Sequence, residues 1–330
     1  YLLDVGSEIG SLHMKMGCRS NVSPLAVATF LLGSVWGCVD REALYVEQPP
    51  WDAAFDATPG FLGYRGDPSQ KVTQCAGCHP ESQAEWMATA HADAWAGLQD
   101  SGHAAAYCEA CHTVSALGNR IADPYVAWTA TTDPRFQDVQ CESCHGPGLA
   151  HVSHPSGTRP LASVNAGADA TNGCGECHNG THHPFVEQWS TSAHGKGLNT
   201  AYAGSQAACA PCHEGKAAIE VTFGVESNYQ EKGTGELLTI TCAVCHASHG
   251  SPHPGQLRAS IEIPTKDNLC MRCHTRRGTP WSAHGPHAAQ GLLILGQDVG
   301  YVPPGSNLDL DVIPNPHGPP NNKGLCATCH

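Results

Sequence analysis

Eight copies of one short motif built from cysteine and histidine dominate the chemistry that this sequence can perform. The chain has 330 residues and 18 cysteines, and 16 of these cysteines occur in units of the form Cys-x-x-Cys-His. The cysteine pairs are Cys75 with Cys78, Cys108 with Cys111, Cys141 with Cys144, Cys174 with Cys177, Cys209 with Cys212, Cys242 with Cys245, Cys270 with Cys273, and Cys326 with Cys329. The histidines that complete the units are His79, His112, His145, His178, His213, His246, His274 and His330.

The spacing within each unit fits the covalent attachment of a haem. Two thiols three residues apart lie on one side of a helical turn, where they can add to the two vinyl groups at one edge of a porphyrin. The histidine that follows is then placed to bind the iron as its proximal ligand. We therefore predict eight c-type haems, one for each motif.

Zinc binding, disulfide bonds and a thioredoxin-like redox centre are the alternative interpretations of a Cys-x-x-Cys pair. Zinc sites and disulfides both use such pairs, but neither explains a histidine directly after every second cysteine. A thioredoxin-like motif would occur once, in a βαβ context. Haem attachment is the interpretation that accounts for all eight histidines.

The composition leaves few large apolar side chains to fill an interior. Only 21 of the 330 residues are Phe, Tyr or Trp, 14 % are charged, and the formal net charge is −13. The negative charge argues against a nucleic-acid partner, and an apolar content of 41 % argues against a disordered acidic tail. Because such a core is thin for a chain of this length, we expect porphyrins to supply the missing apolar surface.

The motifs recur with a nearly constant step. Their first cysteines are separated by 33, 33, 33, 35, 33, 28 and 56 residues, so the repeating unit is one haem with the chain around it. A compact chain of this size has a radius of gyration of about 19 Å, which would bring porphyrin edges to within about 10 Å of one another. Electron tunnelling is fast over such distances, and the sequence therefore predicts a chain of haems that conducts electrons.

The histidines outside the motifs are numerous enough to give every iron a second, distal ligand. Sequence context, such as a tryptophan five residues before His91 and His194, favours eight of them. The eight distal candidates are His91, His103, His151, His183, His194, His249, His287 and His317. Four others stay in reserve: His154, His182, His253 and His284. The alternative for each of them is a solvated surface histidine.

The N-terminal residues have the pattern of an export signal. A basic region precedes an apolar stretch over residues 25–35, which is too short to span a bilayer. We expect a signal within residues 1–38, with Cys38 as the lipidated residue of a bacterial lipoprotein. Cleavage nearby by an ordinary signal peptidase and a buried core helix are the alternatives. Since c-type haem is attached outside the cytoplasm, we expect a periplasmic protein or an outer-membrane or cell-surface lipoprotein.

Three stretches of the chain resemble the cytochrome c-554-like multihaem family. They are Gln74-Cys-Ala-Gly-Cys-His-Pro-Glu through Trp86 to His91-Ala92, Val139-Gln-Cys-Glu-Ser-Cys-His-Gly-Pro-Gly with His151, and Ile240-Thr-Cys-Ala-Val-Cys-His with His249. That family belongs with the hydroxylamine-oxidoreductase-like multihaem cytochromes, and the resemblance covers residues 70–330. It implies a helical, loop-rich cage around closely stacked haem pairs, and many members are bis-histidine electron carriers.

The resemblance leaves more than one function open. A carrier would exchange electrons with a redox-protein donor and acceptor, among them membrane-bound quinol-linked or outer-membrane components. The alternatives are a multihaem oxidoreductase of nitrite, hydroxylamine or sulfur oxyanions with one open-site haem, and a subunit of an extracellular electron conduit. One enzymatic branch uses lysine in place of the motif histidine, and no Cys-x-x-Cys-Lys occurs here. The carrier is the interpretation that we favour.

The expected fold is mainly α with much irregular loop and little β structure, arranged as a multihaem cytochrome c cage around eight covalently attached haems. Residues 39–70 are expected to form an extended N-terminal segment, and residues 71–330 an octahaem cytochrome c domain.

Two longer helices are predicted within that domain, over Pro80–Leu98 and Pro184–Ala193, because each has proline at its start and a tryptophan before a histidine. Loops are predicted over residues 146–172 and 296–324. The β-branched runs Ile219–Phe223 and Leu237–Ala243 predict a small hairpin or a pair of edge strands.

Overall fold

Short helices joined by irregular chain make up the protein, as seen in a computed structural model that describes residues 60–114, 133–165, 173–275, 287–295, 305, 325–328 and 330. All of these residues fall within the unit that spans Gln48–His330. The expected export signal with Cys38, the distal candidate His317, the reserve histidine His284 and most of the predicted loop over 296–324 lie outside the described residues.

The α-helices of the described ranges are short, most of them one or two turns long. They are α1 (Pro80–Met87), α2 (Ala94–Asp100), α3 (Ala106–His112), α4 (Cys141–His145), α5 (Leu149–Ser153), α6 (Phe185–Thr191), α7 (Ala193–Lys196), α8 (Thr200–Ala203), α9 (Ala210–His213), α10 (Gly215–Ala217), α11 (Cys242–Cys245) and α12 (Gln290–Leu295). Turns of 3-10 helix occupy Pro68–Gln70, Gln74–Gly77, Ala90–Asp93, Pro134–Phe136, Cys174–Glu176, Pro254–Gln256 and Leu325–Thr328.

The described ranges contain no β-strand, which confirms the mainly helical class. Three isolated bridges join residues that the structure describes: Tyr64 with Thr73, Thr113 with Gln137, and His246 with Leu257.

The hairpin predicted from the two β-branched runs is wrong. Ala218–Thr222 forms a π-helix, and the second run leads into α11. Ile219 is fully buried and packs with Ala243 and Val244, so burial against α11 outweighs the β propensity of the first run.

The helix predicted over Pro80–Leu98 is broken near its middle, so that prediction is wrong in extent, whereas the helix predicted over Pro184–Ala193 is found as α6 and ends at Thr191, two residues early. At Thr89 the backbone is extended, and the Thr89 hydroxyl donates a hydrogen bond to the Trp86 carbonyl oxygen at 2.7 Å. At Ser192 the backbone is again extended, and the hydroxyl donates to the Trp189 carbonyl oxygen at 2.6 Å. A hydroxyl that takes a helical carbonyl in this way competes with the next backbone N–H and ends the helix.

The predicted loop over residues 146–172 is wrong in part, because Leu149–Ser153 forms α5 within it. The backbone N–H of Val152 donates to the Gly148 carbonyl at 2.9 Å, which closes the turn. Residues 166–172 lie outside the described ranges.

The buried apolar side chains form small, separate clusters instead of one large core. Phe61, Val114 and Phe136 make one cluster, and Tyr64, Trp86 and Ala92 make another. A third surrounds Ile219. Among the residues that the structure describes, no helix combines the length and apolarity needed to span a membrane.

Candidate haem-binding centres

Each motif is folded, over its described residues, as a single helical turn that gathers its thiols and its imidazole. In the first motif, the N–H of His79 donates to the carbonyl oxygen of Cys75 at 2.9 Å. The same bond between the motif histidine and the first cysteine recurs at 2.9–3.2 Å for His178, His213, His246, His274 and His330. The second and third motifs lie in α3 and α4. This turn is the arrangement that attachment to two vinyl groups and one iron requires.

Three of the predicted attachment cysteines, each the second of its motif, are placed in different ways. Cys78 is exposed, and its N–H donates to the Cys75 carbonyl oxygen at 3.1 Å. Cys212 is half-buried in α9, and its N–H donates to the Cys209 carbonyl oxygen at 3.0 Å. Cys329 lies outside the described residues, so the structure places only the first cysteine and the histidine of the eighth motif. Thioether attachment at these three cysteines, as at the other thirteen, stays a prediction from the motif.

Several ring nitrogens are held by backbone carbonyl oxygens, which fixes the tautomer of the imidazole. His112 Nδ1 lies 2.9 Å from the Ala94 oxygen, and His246 Nδ1 lies 2.6 Å from the Gly255 oxygen. His145 Nδ1 makes the same contact with Leu161. Because a carbonyl oxygen only accepts, Nδ1 must carry the proton, and Nε2 keeps the lone pair that binds a metal.

Five motif histidines each lie opposite a histidine from a distant part of the chain. The ring centres are separated by 6.4 Å for His79 and His151, 6.2 Å for His178 and His91, 6.0 Å for His145 and His249, 6.1 Å for His274 and His194, and 5.9 Å for His213 and His287. The non-motif member of each pair is one of the eight distal candidates.

These separations fit an iron held between two imidazoles. If each ring nitrogen binds the metal at about 2 Å and each ring centre lies about 1 Å further out, the two centres are about 6 Å apart. Direct stacking of two imidazoles would bring them closer. His151 adds a second feature of a ligand, since its Nδ1 lies 2.7 Å from the Thr158 carbonyl oxygen. The residues present therefore fit haem iron.

The electrostatics of the most buried pair favour neutral imidazole, the form that binds metal. Burial lowers the pKa of His91. For His178, burial and then the neighbouring His91, His183 and His246 lower the pKa to about 4. Both rings are therefore free of the extra proton at neutral pH, with Nε2 available to an iron.

Two tryptophans connect the helix after one motif to the chain before another. Trp86 Nε1 donates to the Val139 carbonyl oxygen at 2.8 Å, and Val139 lies two residues before Cys141. Trp189 Nε1 donates to the Ile240 carbonyl oxygen at 2.8 Å, two residues before Cys242. Each indole N–H therefore ties the helix that carries it to the segment that leads into a later motif.

The hydroxyl residues that break the helices were missed by sequence reasoning, although the signal was present. Thr89 follows Trp86 by three residues, and Ser192 follows Trp189 by three residues. In each case the break comes two residues before a histidine that faces a motif histidine, so the break redirects the chain just before that histidine.

Thiols from different motifs approach one another and show which motifs are neighbours. The cysteine side chains lie next to one another in four pairs: Cys75 and Cys141, Cys111 and Cys177, Cys174 and Cys242, and Cys270 and Cys326. Numbered in chain order, the first motif therefore adjoins the third, the second adjoins the fourth, the fourth adjoins the sixth, and the seventh adjoins the eighth.

The remaining distal candidates are placed differently. His183 lies 5.9 Å from His178 and 4.4 Å from His182, measured between ring centres, and the nearby His112 contributes to lowering the pKa of His183 after burial and His182. His103 is exposed. Within the described ranges, the structure brings no non-motif histidine ring against His112, His246 or His330 at the spacing of the five pairs.

Two family models match parts of the chain. The family described as cytochrome c554 and c-prime matches residues 74–146, and the one described as doubled CXXCH motif matches residues 237–279. These two ranges contain five of the eight motifs. Comparison with curated proteins and with solved structures returns no match.

Proposed function

Since this chain belongs to the multihaem c-type cytochromes, which transfer electrons through covalently bound haem, we propose that it is an exported electron carrier with eight bis-histidine haems. The two family-model matches confirm the resemblance to multihaem cytochromes noted in the sequence. The haem count, the distal ligands and the cellular location are the parts that we propose.

The observation that carries the proposal is the set of five histidine pairs with ring centres 5.9–6.4 Å apart. In each pair, the motif histidine serves as the proximal ligand and the histidine opposite serves as the distal ligand. The distal ligands are then His91, His151, His194, His249 and His287. For the other three irons we keep His103, His183 and His317, and the position of His183 near His112 favours the second motif for it.

Ligands on both faces of an iron favour electron transfer over catalysis on a small substrate. The bound haem supplies one-electron chemistry, while the protein sets its position and surroundings. A second imidazole occupies the coordination position that an inorganic substrate such as nitrite needs. The five pairs therefore support a carrier, and an oxidoreductase would need an open position on one of the other three irons.

Export and redox-protein partners follow from the same proposal. Covalent haem attachment outside the cytoplasm and the apolar stretch over residues 25–35 support a periplasmic protein or an outer-membrane or cell-surface lipoprotein anchored at Cys38. Its partners would be a redox-protein donor and acceptor, including membrane-bound quinol-linked or outer-membrane components.

Mass spectrometry and spectroscopy of the holoprotein test the proposal together. We expect the mass of eight covalently attached haems and a ferric spectrum that is entirely low-spin. The spectrum should not change when nitrite or hydroxylamine is added to the ferric protein, or when carbon monoxide is added to the reduced protein. Fewer attached haems would overturn the count of eight. A high-spin fraction that binds any of the three ligands would favour the oxidoreductase over the carrier.

A further inference from the structure

The stretches of chain that begin at the first and fourth motifs have matching residues. The first cysteines of the first three motifs and of the next three are offset by 99, 101 and 101 residues. The other matching residues are Trp86 and Trp189, Thr89 and Ser192, and His91 and His194, all offset by 103 residues. The match extends beyond the attachment motifs to residues with no part in holding a haem covalently.

The contacts made by the matching residues also recur. Each tryptophan donates its indole N–H to the carbonyl oxygen two residues before the third motif of its own stretch, at 2.8 Å in both cases. Each hydroxyl residue donates to the tryptophan carbonyl and breaks the helix there. In each stretch, the first cysteine of the first motif contacts the first cysteine of the third.

The matching histidines leave their own stretch and face the first motif of the next one. His91 lies opposite His178 of the fourth motif, with ring centres 6.2 Å apart. His194 lies opposite His274 of the seventh motif, with ring centres 6.1 Å apart. The second connection therefore repeats the first, three motifs further along the chain.

We propose that the chain is a tandem of three-haem units in which each unit supplies one distal ligand to the first haem of the next. His91 of the first unit would ligate the fourth haem, and His194 of the second unit would ligate the seventh. This inference rests on the proposed bis-histidine centres, and it adds a modular architecture with one ligand bond at each junction.

The tandem also accounts for a difference between the two units. In the first unit, His151, which follows the third motif, faces that unit's own first motif at His79. The equivalent place in the second unit, opposite His178, is taken by His91 from the first unit. His249, which follows the sixth motif, faces His145 of the third motif instead.

The His194→Gly variant of the full holoprotein tests the second junction. We expect one haem per chain to change from low-spin to high-spin and to bind carbon monoxide, and added imidazole to restore the low-spin state. The control is Lys196→Gly, an exposed residue of the same helix α7 that is not a histidine, which should leave the spectrum unchanged. His91→Gly should behave like His194→Gly, because the two junctions are equivalent.

A second variant identifies the haem that is affected. Removing the seventh attachment site by Cys270→Ser and Cys273→Ser should abolish the high-spin signal that His194→Gly produces, whereas removing the second site should leave that signal in place. If the cysteine variants fail to mature, rescue of His194→Gly by imidazole still reports a lost histidine ligand.

The outcomes separate this inference from the proposed carrier. A His194→Gly protein that stays entirely low-spin, or one whose high-spin signal survives removal of the seventh haem, overturns the junction while the carrier stands. A wild-type protein that binds nitrite overturns the carrier, and the His194→Gly comparison still decides the junction.

Discussion

Replacing Trp86 by alanine should remove a large part of the stability of the region around the first motif. Trp86 is only 6 % exposed, packs against Tyr64 with ring centres 6.2 Å apart, and donates a hydrogen bond to Val139. A buried tryptophan hides about 150–250 Å², which at about 25 cal/mol per Å² corresponds to about 4–6 kcal/mol. Measured Trp→Ala changes in cores cost about 3–5 kcal/mol, so we expect a loss of about 4 kcal/mol.

Replacing Trp86 by phenylalanine separates the packing from the hydrogen bond. Phenylalanine keeps most of the apolar contact but leaves the Val139 carbonyl without the indole N–H, so the expected loss is about 1–2 kcal/mol. Met87, the next residue on α1, is 44 % exposed, and Met87→Ala should change stability by less than about 0.5 kcal/mol.

Guanidinium unfolding of the holoprotein, followed by haem absorbance and circular dichroism, measures these differences, because covalently attached haem stays with the unfolded chain. A Trp86→Ala protein as stable as Met87→Ala would contradict a stabilising role for the buried indole. Equal losses for Trp86→Phe and Trp86→Ala would contradict the contribution of packing, since only the hydrogen bond would then matter.

Three further predictions concern a glycine, a carboxylate and the haem itself. Gly250 has φ +136°, and a Cβ there would lie 2.5 Å from the Glu85 carbonyl oxygen. The control is Gly255→Ala, where φ is +65° and nothing lies within 4 Å, so that only about 1 kcal/mol of backbone strain is expected. Gly250→Ala should destabilise the fold by several times that amount, and equal unfolding midpoints of the two variants in denaturant would contradict this. Burial raises the pKa of Glu142 above its ordinary 4.5, although three backbone N–H donors act to lower it. The folded protein therefore holds this proton more tightly than the unfolded chain, and stability should fall as the pH rises from 4.5 through the raised pKa. Glu142→Gln should remove that slope in melting curves taken across this range. Chain produced without haem attachment should lack stable structure, because the apolar clusters are small; resistance to protease together with near-native helix content would disprove it.

Sequence patterns predicted the chemistry of the centres better than the path of the chain. The Cys-x-x-Cys-His units indicated covalent haem, and the tryptophan five residues before His91 and His194 singled out two residues that the fold places against motif histidines. Which motif each of them faces depends on contacts between segments 80 or more residues apart, and no local pattern contains that information.

Local propensity failed where a side chain or tertiary burial competes with the backbone pattern. Thr89 and Ser192 end helices that periodicity alone would continue, because a hydroxyl takes the carbonyl of the preceding turn. Ile219 has a strand-forming side chain, yet it lies in a π-helix because its full burial decides the local conformation.

The five histidine pairs connect residues that are 72 to 104 positions apart in the chain. With a metal between them, each pair closes a loop as a disulfide would, and closing a loop of this size removes entropy from the unfolded chain worth about 4–5 kcal/mol. Unlike a disulfide, such a cross-link is not broken by the addition of electrons. The molecule could therefore be fully reduced during turnover without losing the connections that limit its unfolding.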